Sequence, residues 1–204
     1  MTTLLLVRHG ENDYLKQGRM PGRLSGIHLN KRGREQAAIL AETLKMLPIQ
    51  AIYSSPLERA IETAEPLAGS LGLAIQLRSG LMDTDVGEWQ GMQLKKLRKN
   101  PLWKLVQEQP SQVRFPSGES FMELQERLVR EIEAIRAIHK QKDVVAVVFH
   151  ADPIKLVIAH YIGLSLDNFQ KLTVSAGSVS VLVTGKSSGQ LAALNLRPPF
   201  ELKP

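Results

Sequence analysis

LLLVRHGEN, residues 4–12, begins with four apolar side chains in a row and ends in arginine, histidine, glycine and glutamate. An apolar run that stops abruptly at charge is the pattern of a strand covered on both faces, as in the middle of a parallel sheet. Such a strand, over residues 3–8, delivers Arg8 and His9 to its carboxyl end. In open α/β sheets ligands bind outside the carboxyl ends of the strands. The stretch therefore predicts both a layer of the fold and the edge at which to look for chemistry.

Working outward, strands and helices alternate. Ala37, Leu40, Ala41, Leu44 and Leu47 fall at helical spacing, with Asn30 as the cap and Pro48 as the stop. QAIYS (50–54) reads as a second strand. In the SSPLERAIETAEPLA that follows, Ser55 is expected to cap a helix, with Pro56 in its first turn and Glu58 completing a capping box. LAIQL (73–77) reads as a third strand, and Phe121, Leu124, Leu128, Ile132 and Ile135 mark a long amphipathic helix. VVAVVF (144–149) is a fourth buried strand, followed by a helix capped by Asp152 and Pro153 and ended by Gly163. Two late strands are expected near 178–184 and 190–196. This alternation predicts an α/β fold, a three-layer αβα arrangement with a mostly parallel central sheet.

The whole chain sets limits on function. At 204 residues with 43% hydrophobic content it can bury one ordinary core, and no repeat, linker or low-complexity tract divides it. We expect a single domain over 1–204, with residues 91–117 as a candidate cap segment. Cysteine is absent, so thiolate metal sites and disulfides are excluded and a reducing, cytoplasmic setting fits. The first apolar run is too short and too soon charged to be a signal peptide or membrane span. The net charge of +6 favours anionic partners, yet the basic residues lack the interleaved aromatics and the module of a nucleic-acid binder. No P-loop or dinucleotide loop is present, so no cofactor is expected, and no metal. A homodimer is compatible with this reading.

The expected strand ends bring sequence-distant residues together. Arg8 and His9 follow the first strand, Arg59 begins the helix after the second, Asp83 follows the third and His150 ends the fourth. Two arginines, two histidines and a carboxylate suit a doubly charged oxyanion. Guanidinium forks match phosphate geometry, and a neutral imidazole can attack phosphorus. Neighbouring arginines disfavour protonation of His9, so the charge that binds phosphate also keeps the nucleophile neutral.

Taken together, LLLVRHGEN, GRMPGRLSGIHLNKRGREQA, AIYSSPLERAIETA, LMDTDVGEWQG and VVFHADPIK resemble the histidine phosphatase superfamily, with the phosphoglycerate mutase-like fold, over about residues 3–185. The resemblance implies His9 as the nucleophile that becomes phosphohistidine, and Arg8, Arg59 and His150 as the rest of the phosphate pocket. It implies Asp83 as the proton donor, a place the family usually gives to glutamate, with Asp85 as the competitor two residues on. Arg19 matches a family position that reaches substrate, and Ala151 lies on the lip beside His150. Leu15 stands where many members carry an asparagine that helps hold phosphate. The activity implied is metal-independent hydrolysis of a small phosphorylated substrate, a histidine acid phosphatase type of phosphomonoesterase. A phosphomutase and a non-catalytic binder of phosphorylated ligands are the alternatives. The chain lacks the insertions and long tail of typical phosphoglycerate mutases, which favours hydrolysis.

Weaker signals complete the reading. Lys95, Lys96, Arg98, Lys99 and Lys104, around Leu94 and Trp103, suggest a basic cap for an anionic substrate, against the plainer reading of a solvated helix face. Arg23 shares the loop of Arg19. Glu11 is expected to orient the pocket or to lie on the surface, and Ser178 to cap a strand or neighbour the site. Asp152 is expected to be a helix cap rather than a substrate contact. His28, His139 and His160 are read as structural, and Trp89 as core.

Overall fold

The structure, a computed structural model, describes residues 1–185 and 189–200. Its frame is one six-stranded sheet. In chain order the strands are β1 (Thr2–Arg8), β2 (Ile49–Ser54), β3 (Ile75–Leu77), β4 (Val144–Phe149), β5 (Val179–Thr184) and β6 (Gly189–Leu196). The helices are α1 (Asp13–Lys16), α2 (Lys31–Leu44), α3 (Glu58–Leu71), α4 (Leu94–Leu97), α5 (Pro101–Glu108), α6 (Phe121–Ile138) and α7 (Ala151–Tyr161). Strand order is β3-β2-β4-β1-β5-β6. The first four run parallel, and β5 and β6 add antiparallel strands at one side. The mostly parallel sheet is thus present, completed by the two late strands at the expected places.

Alternation along β1 and β4 explains the layers. Leu4, Leu6, Val145, Val147 and Phe149 pack with the apolar faces of α6 and α7, while Leu5, Val7, Ala146 and Val148 pack with those of α2 and α3. Because both faces are covered, the central strands read as unbroken apolar runs. Among the described residues no helix is long and apolar enough to cross a membrane.

Two helix starts differ from expectation. Asn30 caps α2 as predicted, its side chain accepting from Gly33 N, and Ser120 with Glu123 forms a full capping box at α6. Ser55, however, does not cap α3. That helix begins at Glu58 behind an extended Leu57, without a side-chain cap, because the Ser55 hydroxyl is bonded to His150. Asp152 and Pro153 do not cap α7 either. The capping position falls on His150, since β4 runs straight into the helix. Asp152 sits in the first turn and pairs with Lys155 at 3.0 Å.

Candidate active site

Three parallel strands end at one level. Arg8 pairs with Phe149 and Ser54 with Val148 in the sheet register. His9 N then donates to Phe149 O at 3.0 Å, and Ser55 N to Val148 O at 2.9 Å. His9 and Ser55 are therefore placed by ladder bonds carried one residue past the strands, and His150 follows β4 directly. Gly10 N donates to Thr63 Oγ1 at 2.9 Å, and that hydroxyl donates to Arg59 O at 2.7 Å, so α3 anchors the turn after β1. On the other side Gly10 lies against Gly33. A Cβ on Gly10 would come within 2.6 Å of Gly33 O, and one on Gly33 within 2.0 Å of Glu11 O.

His9 is 2% exposed, and its Nδ1 lies 2.8 Å from Gly10 O. A carbonyl can only accept, so Nδ1 carries the proton and Nε2 keeps the lone pair of a neutral ring. Burial lowers the His9 pKa well below the ordinary histidine value, and the charges of His150, Arg59 and Arg8 push the same way. His150, its ring 5.2 Å from that of His9, is also held neutral, by burial and then by Arg59 and Arg8. Its Nε2 lies 2.9 Å from Ser55 Oγ. That oxygen also accepts from Leu57 N at 3.4 Å, which leaves its hydrogen for His150 Nε2. The proton of His150 then resides on Nδ1, which is buried without a hydrogen-bond partner and lies 3.5 Å from Asp83 Oδ2.

The two arginines are fixed from behind. Arg8 Nη1 donates to Val174 O at 2.7 Å. Arg59, fully buried, donates from Nη2 to Gly22 O at 2.7 Å and to Asp83 Oδ2 at 3.0 Å. The Nε of each is buried and unpartnered. Buried donors are nearly always satisfied, so three such nitrogens, Arg8 Nε, Arg59 Nε and His150 Nδ1, in one cluster mark a place built for acceptor oxygens.

Asp83 is the carboxylate that faces them. Burial raises its pKa, against the opposing pull of Arg59, the Thr84 amide and Arg8. Its loop is held by Arg127, which donates to Gly80 O at 2.8 Å and Met82 O at 3.1 Å. Arg127 is held in turn by Glu119, whose Oε1 also accepts from Arg23 at 3.0 Å and from Asp85 N at 2.8 Å. Asp85 accepts from Gly87 N and pairs with Arg23 at 3.5 Å. It is part of the loop's scaffold and does not line the pocket.

A cavity of about 310 Å³ opens above this cluster. Arg8, His9, Leu15, Arg19, Asp83, Ala151 and Asp152 line it, while Arg59 and His150 lie in the wall behind. Arg19 is held over the Tyr14 ring at 4.7 Å, with its Nε on Gly91 O at 2.8 Å. Glu11 lies outside the cavity, accepting from Asn30 at 3.0 Å. Ser178 is buried with its hydroxyl unpartnered, directly behind Arg8, whose amide donates to Ser178 O. The basic cap is not formed. Lys95, Lys96, Arg98, Lys99 and Lys104 point to solvent, and the cap turns Leu94, Trp103, Val106 and Gln107 to the cavity instead. Trp89 is buried, as expected. His28 pairs with Glu62, His139 with Tyr53 and Asp143, and His160 stacks edge-on with Tyr161, all away from the cavity. Among the described residues no three His, Cys, Asp or Glu are grouped so as to hold a metal ion.

Reading the sequence missed Ser55 as the partner of His150, Thr63 as the anchor of Gly10, and Glu119 with Arg127 as supports of the Asp83 loop. A capping-box pattern concealed the first. The others join residues far apart in the chain and carry no local signal.

The model of the histidine phosphatase superfamily (branch 1) matches residues 4–197. The chain belongs to that superfamily. It is 31% identical over 198 residues to phosphoserine phosphatase 1 of Hydrogenobacter thermophilus, covering 96% of this chain and 93% of that protein. With a glucosyl-3-phosphoglycerate phosphatase of Mycolicibacterium vanbaalenii it shares 32% identity over 177 residues, 83% of this chain and 78% of the relative. A mycobacterial glucosyl-3-phosphoglycerate phosphatase solved in complex with VO3 superposes with a TM-score of 0.87 at 27% identity, over 95% of this chain and 98% of that one.

Proposed function

We propose that this superfamily member is a metal-independent phosphomonoester hydrolase that works through a phosphohistidine on His9. The observation that carries the proposal is the cluster of three buried, unpartnered nitrogens, Arg8 Nε, Arg59 Nε and His150 Nδ1, beside a neutral His9. A phosphoryl group supplies the oxygens those donors lack. The relatives named as phosphatases support the same reaction class, and the relative that bound VO3 took up an oxyanion.

The steps follow from the geometry. His9 Nε2 attacks phosphorus, forming the N–P bond as the P–O bond to the leaving alcohol breaks. Arg8, Arg59 and His150 hold the equatorial oxygens, where charge must be stabilised. Asp83, whose pKa is raised by burial, gives a proton to the departing alkoxide. It then takes a proton from the water that attacks phosphorus, the N–P bond breaks, and phosphate leaves a neutral His9. The domain acts as one unit, with 91–117 as its cap, and the reducing cytoplasm suits a chain without cysteine.

The test is phosphate release from a monoester panel in EDTA, for wild type and His9→Ala, with acid-labile phosphoenzyme measured in a single turnover. We expect release from the wild type, and a loss of about 10⁴-fold or more in the variant. A requirement for added metal, or equal rates for the two proteins, would sink the proposal. Isomerisation of 3-phosphoglycerate primed with bisphosphate, without net release, would make the protein a mutase. A phosphohistidine that never decays would make it a binder. A pH profile with its optimum well below neutrality would support the acid phosphatase type.

A further inference from the structure

The cavity is larger than a phosphoryl group requires, and its far side has a definite chemistry. Trp103 presents its ring there, and the buried rings of Phe115 and Phe121 back it in one aromatic chain. Trp103 stacks on Trp89 with centroids 6.1 Å apart, Trp89 meets Phe115 edge-on at 5.4 Å, Phe115 meets Phe121 at 5.3 Å, and Phe121 meets Phe169 at 5.0 Å. Leu94, Val106 and Val86 fill the surface between these rings. The wall is therefore an outgrowth of the core that packs against α6 and α7.

On this side the carboxylate of Asp152 is paired, whereas Arg19 has no carboxylate partner among the described residues. Asp152 is neutralised by Lys155 at 3.0 Å, and Lys155 also donates to Gln170 at 3.1 Å. Arg19 is the lining cation beyond the phosphoryl end, its guanidinium 4.7 Å from the Tyr14 ring and its Nε donating to Gly91 O. The lysines of the cap face solvent. An ammonium on the leaving group would lose its water against the apolar wall and would meet Arg19 as a like charge. An apolar body would instead displace water from the Leu94 and Trp103 side of the cavity, a surface that gains from contact with it.

From this we infer that the preferred substrates are phosphate monoesters of apolar, ring-bearing alcohols, rather than of serine and glycerate, which are too small to cover the apolar wall. The inference rests on the phosphatase reading above and specifies the other half of its substrate. Selectivity then comes from the cap, through Leu94, Trp103 and Val106, and the phosphoryl end contributes little to it.

The experiment compares kcat/KM for ethyl phosphate and 2-phenylethyl phosphate, whose alkoxides leave with similar basicity, with phosphoserine and 3-phosphoglycerate in the same series. The expected result is a rise of about tenfold or more from ethyl to phenylethyl, with both charged substrates below phenylethyl phosphate. Trp103→Ala and, separately, Val106→Asn are expected to compress the phenylethyl-to-ethyl ratio severalfold. Inhibition of each variant by inorganic phosphate reports whether the phosphoryl end is still formed. A preference for phosphoserine or 3-phosphoglycerate, or a ratio near one in the wild type, overturns the inference and leaves the hydrolase standing. No release from any monoester, 4-nitrophenyl phosphate included, overturns both.

Discussion

At one end of the cavity every group is polar, buried and individually held: His9 by Gly10 O, His150 by Ser55, Arg8 by Val174 O, Arg59 by Gly22 O. Elsewhere in the lining Leu94 and Trp103 present an apolar surface held by packing, beside Arg19, Gln107 and Gln170. The first end is made by strand termini set by the sheet ladder, joined by Arg59 from the first turn of α3. The second is made by packing, where shape matters and single contacts are weak. A site can thus couple a rigid reaction centre, built for one charge distribution, to a wall that selects by bulk. Disturbing the two ends should give different signatures, in rate at the first and in substrate preference at the second.

The largest effect is expected from Arg59→Ala. It removes a fork from the phosphoryl oxygens and leaves the buried Asp83 without its ion pair, so kcat/KM should fall by about 10³-fold for every substrate alike. Stability should fall by about 3 kcal/mol, read from urea unfolding. A loss confined to bulky substrates would erase the distinction between the ends. Asp83→Asn comes next, with a fall of about 10²-fold for alkyl phosphates and a smaller one for 4-nitrophenyl phosphate, whose leaving group needs no proton. The sign of the pH dependence follows. Asp83 must be protonated to act and its pKa is raised, so activity should decline as pH rises through that value. His9 must be neutral and its pKa is lowered, so the acid limb should lie below 6.5. The alkaline limb should vanish in Asp83→Asn once the titration of the substrate itself, common to both enzymes, is divided out.

A smaller change separates support from chemistry. Glu119→Gln weakens the grip on Arg23 and Arg127 that holds the loop of Asp83, and should lower kcat about tenfold with little change in KM. An altered KM with normal kcat would instead place Glu119 in substrate binding. The smallest effect is expected from neutralising Lys95, Lys96 and Lys99 together. Those ammonium groups face solvent, so KM for anionic substrates should move by less than about twofold at 0.15 M salt. A large rise would restore the basic cap that the amino-acid pattern suggested.

The difference between the ends also decides what could be read from residues alone. Arg8 and His9 follow a strand that announces itself by four consecutive apolar residues, and His150 follows another, so their meeting at one edge is a matter of sheet topology. Arg59 is likewise the second residue of a helix that a strand and a proline precede. The aromatic wall has no such grammar. Residues 103, 115 and 121 come from α5, a loop and the start of α6, and only tertiary packing tells which rings face a cavity and which face the core. The same limit explains Lys95, Lys96, Arg98 and Lys99. Their charge is plain in the chain, but with Leu97 buried and Leu94 turned to the cavity the short helix presents them outward. Ser55 illustrates a competition. Its local pattern offers the hydroxyl to a helix start, and a buried imidazole takes it because an unpartnered His150 Nε2 would cost more than an uncapped turn.

The contact between Gly10 and Gly33 extends the site in a direction that distance from substrate does not reveal. Gly33 belongs to the first turn of α2 and lines no part of the cavity. A Cβ there would nonetheless strike Glu11 O at 2.0 Å and push on the turn that carries His9. In the vocabulary of mutational tolerance, this residue is inherited with the nucleophile: a library that freezes the pocket and randomises the rest would lose activity at Gly33 without touching a single lining side chain.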